Sequence, residues 1–444
     1  MSNTIDLTKG KVARQLLSFS LPLIITNFLQ TIHLMLDALL VGRALGVNAI
    51  GAVAVGGQSI LFFTTVSMGI AAGGQILIAR YRGAKDSSSQ EKVQRASLFL
   101  ALCSGITLTI LAYFGAPFFL SLLNTPADTL EDAIRYMQLL SLGLIFTFLY
   151  QAVAGILRGL GNAKQALIFA GVATGLHLLL GIVLVFVFSF GILGAAVSAV
   201  VGQAIATVYS LWFVQKKIVQ KESFKRKQYL PELKTCIEII KVGLPFGLQM
   251  GVLHLANIFI IRLIAPFGTA AVSALGVSAR VTNVLTLPMM AIGNGASSII
   301  GQSLGAEKPK RVKETIFWTK IYTLIFISIT TALTLLLPRQ LLQFFTNDQN
   351  AIEIGVIYLS ILAFAYLAHA LHSIFNAPLL ASGKSKYSLY AAGAEGILGR
   401  ILLTWLFSNI WGLYGIFVAQ LLSVYLGSLV IWLAYRHCKL HKIA

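Results

Sequence analysis

The sequence predicts an all-α polytopic membrane protein, with twelve transmembrane helices in two pseudo-symmetric six-helix bundles around a central cleft. Composition, the spacing of apolar runs and an internal repeat predict it. Of 444 residues, 57% are hydrophobic and 11% charged, and the mean hydropathy is +0.83, a balance that suits a chain dissolved in lipid. A net charge of +19 would suggest a nucleic-acid partner in a soluble chain. Here the basic residues lie in short breaks between apolar runs, where they set topology, so a lipid bilayer is expected and nucleic acid is not.

Twelve apolar runs follow in order: 15–42, 47–79, 96–119, 134–157, 165–190, 192–215, 236–264, 270–304, 315–337, 351–376, 387–410 and 412–435. Each is long enough to cross a hydrocarbon core as helix, which takes about 20 residues. Residues 1–11 are polar and the first run lacks a small-residue cleavage site, so the first helix is expected to be retained. Most of the 34 Lys and Arg fall in alternate loops: at Lys9 to Arg14, Arg80 to Arg95, Arg158 and Lys164, Lys216 to Lys241, Lys308 to Lys320, Lys384 and Lys386, and Arg436 to Lys442. The opposite loops hold Arg43, Arg135, Arg262 and Arg339 among Asp128, Glu131, Asp132, Asp348 and Glu353. Both termini are therefore expected on the cytoplasmic side of the plasma (inner) membrane. Cys103, Cys236 and Cys438 have neither disulfide nor metal-site spacing.

The long hydrophilic stretch "QKKIVQKESFKRKQYLPEL" divides the chain into an N-terminal bundle (1–215), a basic cytoplasmic linker (216–235) and a C-terminal bundle (236–444). These halves repeat at an offset of about 222 residues. "SFSLPLIITN" at Ser18 answers "KVGLPFGLQM" at Lys241; "RYRGAKD" at Arg80 answers "QSLGAEK" at Gln302; "RGLGNAK" at Arg158 answers "LASGKSK" at Leu380. Six spans per half is an even number, so both copies enter the membrane in the same orientation. Parallel repeats of this kind build carriers that open a cleft to one face at a time.

One carboxylate, Asp37, interrupts the uncharged stretch from Gln15 to Gly42. Burying it costs at least ~2.5 kcal/mol on permissive insertion scales, so it is a functional candidate. Thr26, Gln30, His33 and Asp37 fall at i, i+4, i+7 and i+11, one polar stripe on a helix, expected to face the cleft. Asp37 precedes Arg43 by six residues, about 9 Å from the outer end of the helix at ~1.5 Å per residue. Such a group can load and unload a proton as its surroundings dry and wet. Gln151, one to two turns before "RGLGNAK", is a further candidate for this pocket. In the C-terminal half the position matching Asp37 is about Ile260, and the buried ions are Arg280, Glu395 and Arg400. Arg280 and Glu395 reach similar depth, so a pair is geometrically possible, whereas Glu395 and Arg400, five apart on one helix, are not expected to face each other.

The Pro22 helix with its acid, the "RGLGNAK" turn, "GILGAAVSAVVGQ" from Gly191 and the Gly-Ala turns at Gly83 and Gly305 together resemble the multidrug and toxic compound extrusion (MATE) family over the whole chain. The acidic-arginine-glycine cluster of the major facilitator family is not matched by "RYRGAKDSSS". The resemblance implies a secondary multidrug antiporter that exports amphipathic, often cationic small molecules. In sodium-handling relatives the first-helix acid is joined by an Asn and a second acid in the fifth span; the matching positions here are His177 and Gly181, and Asn257, His254, His369 and His372 stand where other sodium-coupled relatives carry acids. Sodium wants several oxygens, so proton coupling is expected, as in the DinF-like branch, with no cofactor and no metal. A monomer is the simpler expectation. Alternatives are a lipid-linked precursor flippase, sodium-coupled antiport, and a membrane-embedded enzyme, although no HExxH, GxSxG or phosphate-loop pattern occurs.

Overall fold

The computed structural model describes residues 5–45, 47–122, 125, 127–217, 231–438 and 440, and among them there is no β-strand. By length and apolarity nine of its helices can cross a membrane, or eleven when each of two bent pairs counts as one span. The run Lys386–His437 is counted once in that total, yet its 52 residues would extend about 78 Å, far beyond a hydrocarbon core of about 30 Å. It turns at Gly412, where φ is 58° and ψ −134°. Divided there, it yields the twelfth span.

The chain groups into two compact units, and they do not follow the expected boundaries. Unit 1 takes Ile25–Gly247 with the segment up to Asp6; unit 2 takes Leu7–Ile24 and Leu248–Ala444. The first halves of the first and seventh spans are thus each packed with the other repeat's helices, close to Pro22 and Pro245 inside those helices. Residues 218–230 of the expected linker lie outside the described residues.

Unit 1 contains the later part of α1 (Val12–Leu45), then α2 (Val47–Gly83), α3 (Ser87–Leu122), α4 (Ala127–Leu142), α5 (Leu144–Gly159), α6 (Ala163–Ile182) with a π-helical extension Val183–Val187, α7 (Gly191–Lys217) and the start of α8 (Leu233–Ile264). The α4–α5 pair is one span bent by 45°. Asn162 starts α6 by accepting from the Gln165 N–H at 3.2 Å. Lipid offers no hydrophobic drive for helices to associate, so close backbone approach has to supply the cohesion. Gly69 and Gly73 of α2 meet Gly243 and Gly247 of α8: a Cβ on Gly243 would stand 2.2 Å from the Gly69 carbonyl oxygen, and one on Gly69 2.7 Å from that of Gly243.

Unit 2 continues with α9 (Thr269–Gly305), α10 (Pro309–Leu336), α11 (Pro338–Gln343), α12 (Gln349–Leu362), α13 (Ala365–Ala381), α14 (Lys386–Ala392), a π-helix Gly393–Leu403, and α15 (Thr404–His437). The α12–α13 pair is bent by 46°, the counterpart of α4–α5 in the repeat. Asp348 caps α12, accepting from the Asn350 and Ala351 N–H groups at 3.0 and 3.3 Å. The backbone of Leu7–Gly10 is fixed in this unit. Arg311 donates to the carbonyls of Leu7, Lys9 and Gly10 at 2.8, 3.1 and 2.7 Å, Lys308 donates to that of Thr8 at 2.9 Å, and Leu7 is fully buried.

Positive φ angles recur at matching repeat positions, at Gly161 and Gly383 (84° and 72°) and at Lys85 and Glu307 (58° and 54°). The two halves share their turn geometry as well as their hydropathy. Gly243→Ala should lower the thermal midpoint in detergent, with an overpacking cost of about 1–3 kcal/mol. Gly57→Ala, whose Cβ would meet nothing within 4 Å, should leave the midpoint unchanged or raise it slightly.

Candidate functional site

The polar stripe on α1 is real and points inward. Thr26 and Asp37 are buried and Gln30 and His33 half-buried, while Ile25, Phe28, Ile32, Met35 and Leu39 are exposed at alternating three- and four-residue steps. The apolar face is the one a bilayer would solvate.

Asp37 is 7% exposed and both of its oxygens are engaged. The Tyr136 hydroxyl of α4 donates to Oδ2 at 2.6 Å, and Nε2 of His177 on α6 lies 2.9 Å from Oδ1. On its other side His177 Nδ1 is 3.2 Å from His33 Nδ1, with the two rings edge to face at 4.4 Å. Tyr136 and His177 are essentially inaccessible, at 1% and 0% exposure. A buried carboxylate needs such donors, because an unpaired one costs several kcal/mol.

Two glycines set these partners in place. A Cβ at Gly56 of α2 would stand 2.9 Å from Cδ1 of Tyr136, and one at Gly202 of α7 would stand 2.9 Å from the His177 backbone nitrogen. Thr174, one turn before His177, donates to the Leu29 carbonyl of α1 at 3.4 Å and ties α6 to α1. At Gly181, the position that matches the second acid of sodium-handling relatives, a Cβ would lie 2.4 Å from Cδ1 of Leu40. That space is filled by hydrocarbon.

The cluster can take up one proton without breaking a hydrogen bond. With Asp37 ionised, His177 donates from Nε2 to Oδ1 and accepts at Nδ1 from His33. With Oδ1 protonated, Asp37 donates to Nε2, His177 carries its proton on Nδ1 and donates it to His33 Nδ1, and His33 carries its own proton on Nε2. Both arrangements keep the imidazoles neutral, and they differ by one proton.

Among the described residues no hydrogen bond joins Gln30 or Gln151 to this cluster; Gln151 sits half-buried on α5. Tyr136 was not anticipated. Its signal is weak, a phenol near the start of the fourth apolar run and one of 14 tyrosines.

In unit 2 the expectation that Glu395 and Arg400 do not face each other is overturned. Arg400 Nη2 donates to Glu395 Oε1 at 2.7 Å, because residues 393–403 are wound as π-helix, whose i→i+5 repeat stacks positions five apart. Arg400 Nη1 also donates to Asn257 Oδ1 at 2.6 Å. Arg280 is exposed on α9, and Glu395 takes Arg400 as its partner in place of the considered Arg280.

Comparison with known proteins agrees with this architecture. The MatE family model matches residues 22–183 and again 245–406, once per repeat. The chain is 29% identical over 437 residues, 97% of its length and 96% of the relative's, to the probable multidrug resistance protein YpnP of Bacillus subtilis. It is 22% identical to the multidrug export protein MepA of Staphylococcus haemolyticus, covering 94% of this chain and 91% of that one. A solved outward-facing multidrug resistance MATE family transporter of the MOP superfamily superposes with a TM-score of 0.91 at 19% identity, over 100% of this chain and 99% of that one, which shows the shared fold. With both repeats matched and the fold shared from end to end, the chain belongs to the MatE family of polytopic membrane transporters.

Proposed function

We propose that this protein is a proton-coupled exporter of amphipathic, often cationic small molecules, acting by antiport and alternating access in the plasma membrane with both termini cytoplasmic, as a monomer. The observation that carries the reading is the Asp37–His177–His33 chain, a buried carboxylate whose hydrogen bonds survive the gain or loss of one proton. The names of the relatives, a multidrug resistance protein and a multidrug export protein, support the substrate class. Protonation of Asp37 from outside discharges the substrate; deprotonation toward the cytoplasm readies the site for the next one.

The donor set supports a proton over sodium. Around Asp37 stand two imidazoles and a phenol, whereas Na⁺ is a hard cation that prefers several oxygen ligands. Basic loops on alternate sides of the spans support the orientation.

Reconstituted into proteoliposomes, the wild type should accumulate an amphipathic cation when a pH gradient is imposed and not when a sodium gradient is imposed. Asp37→Asn should reduce the pH-driven component to the level of empty vesicles. Accumulation driven by sodium alone, or full pH-driven transport by Asp37→Asn, would reject proton coupling at this residue. His177→Gln keeps a donor for the carboxylate but cannot pass a proton, so its initial rate should fall by about tenfold or more. An unchanged rate would remove His177 from the pathway.

A further inference from the structure

A second ionic centre lies in unit 2, built differently from the first. Glu395 (5% exposed) and Arg400 pair within the π-helix, and glycines on that segment let its neighbours close in. A Cβ at Gly396 would stand 2.9 Å from Val252 of α8, and one at Gly399 2.4 Å from Cβ of Ser423 on α15. π-Helical insertions concentrate at functional sites, and an intramembrane ion pair is costly to keep for packing alone.

The two ends of the pair differ in access. Glu395 is enclosed: Oε1 accepts from Arg400, and Oε2 faces Gly427 of α15, 2.8 Å from where a Cβ would stand. Arg400 is under-used. Of the five N–H groups of a guanidinium, one at Nη2 meets Glu395 and one at Nη1 meets Asn257, while Nε has no acceptor among the described residues. The Nη1 side opens toward Asn257 and His254, both on the exposed face of α8. His369 and His372 of α13, both half-buried, interact electrostatically with Glu395, and Tyr358 of α12 with Arg400. Only a neutral amide oxygen holds the open side of the cation. An anionic oxygen there would make a stronger, charge-assisted bond.

We propose that Arg400, held by Glu395 and lightly covered by Asn257, is a binding site for the carboxylate of an amphipathic substrate, which displaces the Asn257 amide from Nη1. The proposal rests on the export reading above and names a substrate class for it: compounds that carry an acid as well as apolar surface. Glu395 is a positioning residue, which fixes the guanidinium and balances part of its charge.

Equilibrium binding tests this apart from coupling. Dansyl-phenylalanine and its methyl ester, which differ in one negative charge, are titrated by fluorescence into purified protein in lipid nanodiscs without any ion gradient. The wild type should bind the acid about tenfold more tightly than the ester. Arg400→Gln should bring the ratio to about one, while Glu395→Gln, which leaves the guanidinium uncompensated, should raise it severalfold. A purely structural ion pair predicts instead that both variants weaken acid and ester alike. Equal affinities for acid and ester in the wild type would overturn the proposal, as would a ratio that moves the same way in both variants. If Arg400→Gln does not fold, Asn257→Ala decides: it should raise acid affinity without changing ester affinity, and an unchanged acid affinity counts against the site. In the wild type, the expected ratio without pH-driven transport marks failure of the coupling scheme, and pH-driven transport with a ratio of about one marks failure of this site.

Discussion

A carboxylate within a lipid-embedded helix must be given donors or a proton, and the arrangement of unit 1 follows from that requirement. Among the described residues no Lys or Arg pairs with Asp37. Its charge is met by a phenol from α4 and an imidazole from α6, so three helices must converge on one side chain. Glycines at 56 and 202 make that convergence possible, because each lets a neighbouring helix press against the residue that supplies the donor. Packing and chemistry are therefore not separable here. A methyl group at either glycine would act on the site through the position of Tyr136 or His177.

Unit 2 meets the same requirement by another route. Glu395 has a permanent cation five residues along its own helix, brought into register by π-helical winding. An arginine holds its charge at any physiological pH. The Glu395–Arg400 pair is therefore suited to hold an ion, whereas the Asp37 chain is suited to exchange one. Repeats that share spans, bends and turn angles have thus diverged in their ionisable groups, giving the two halves different chemistry on one backbone plan.

Much of this was legible in the sequence because membrane crossing imposes a length rule. Apolar runs of about 20 residues located the spans, and the matching turns at Gly161 and Gly383 located the repeat. The stripe ending at Asp37 was legible because helical spacing is regular on α1. His177 came from the family resemblance, and its bond to Asp37 became visible only in three dimensions. Tyr136 was not legible, since the contact between α1 and α4 joins residues 99 positions apart and a tyrosine in an apolar run has no distinctive pattern. The Glu395–Arg400 pair was misjudged for a local reason: the α-helical period was assumed where the chain winds as π-helix. The placement of Leu7–Ile24 in unit 2 was hidden too, because repeat boundaries in sequence do not show which helices pack together.

The most direct test of the account is the proton count on substrate binding. In weakly buffered detergent solution with a pH-indicating dye, addition of an amphipathic cation to the protein should release about one proton per substrate bound, and whatever binding Asp37→Asn retains should release none. Substrate binding to the wild type without proton release, or release that persists in Asp37→Asn, would contradict it.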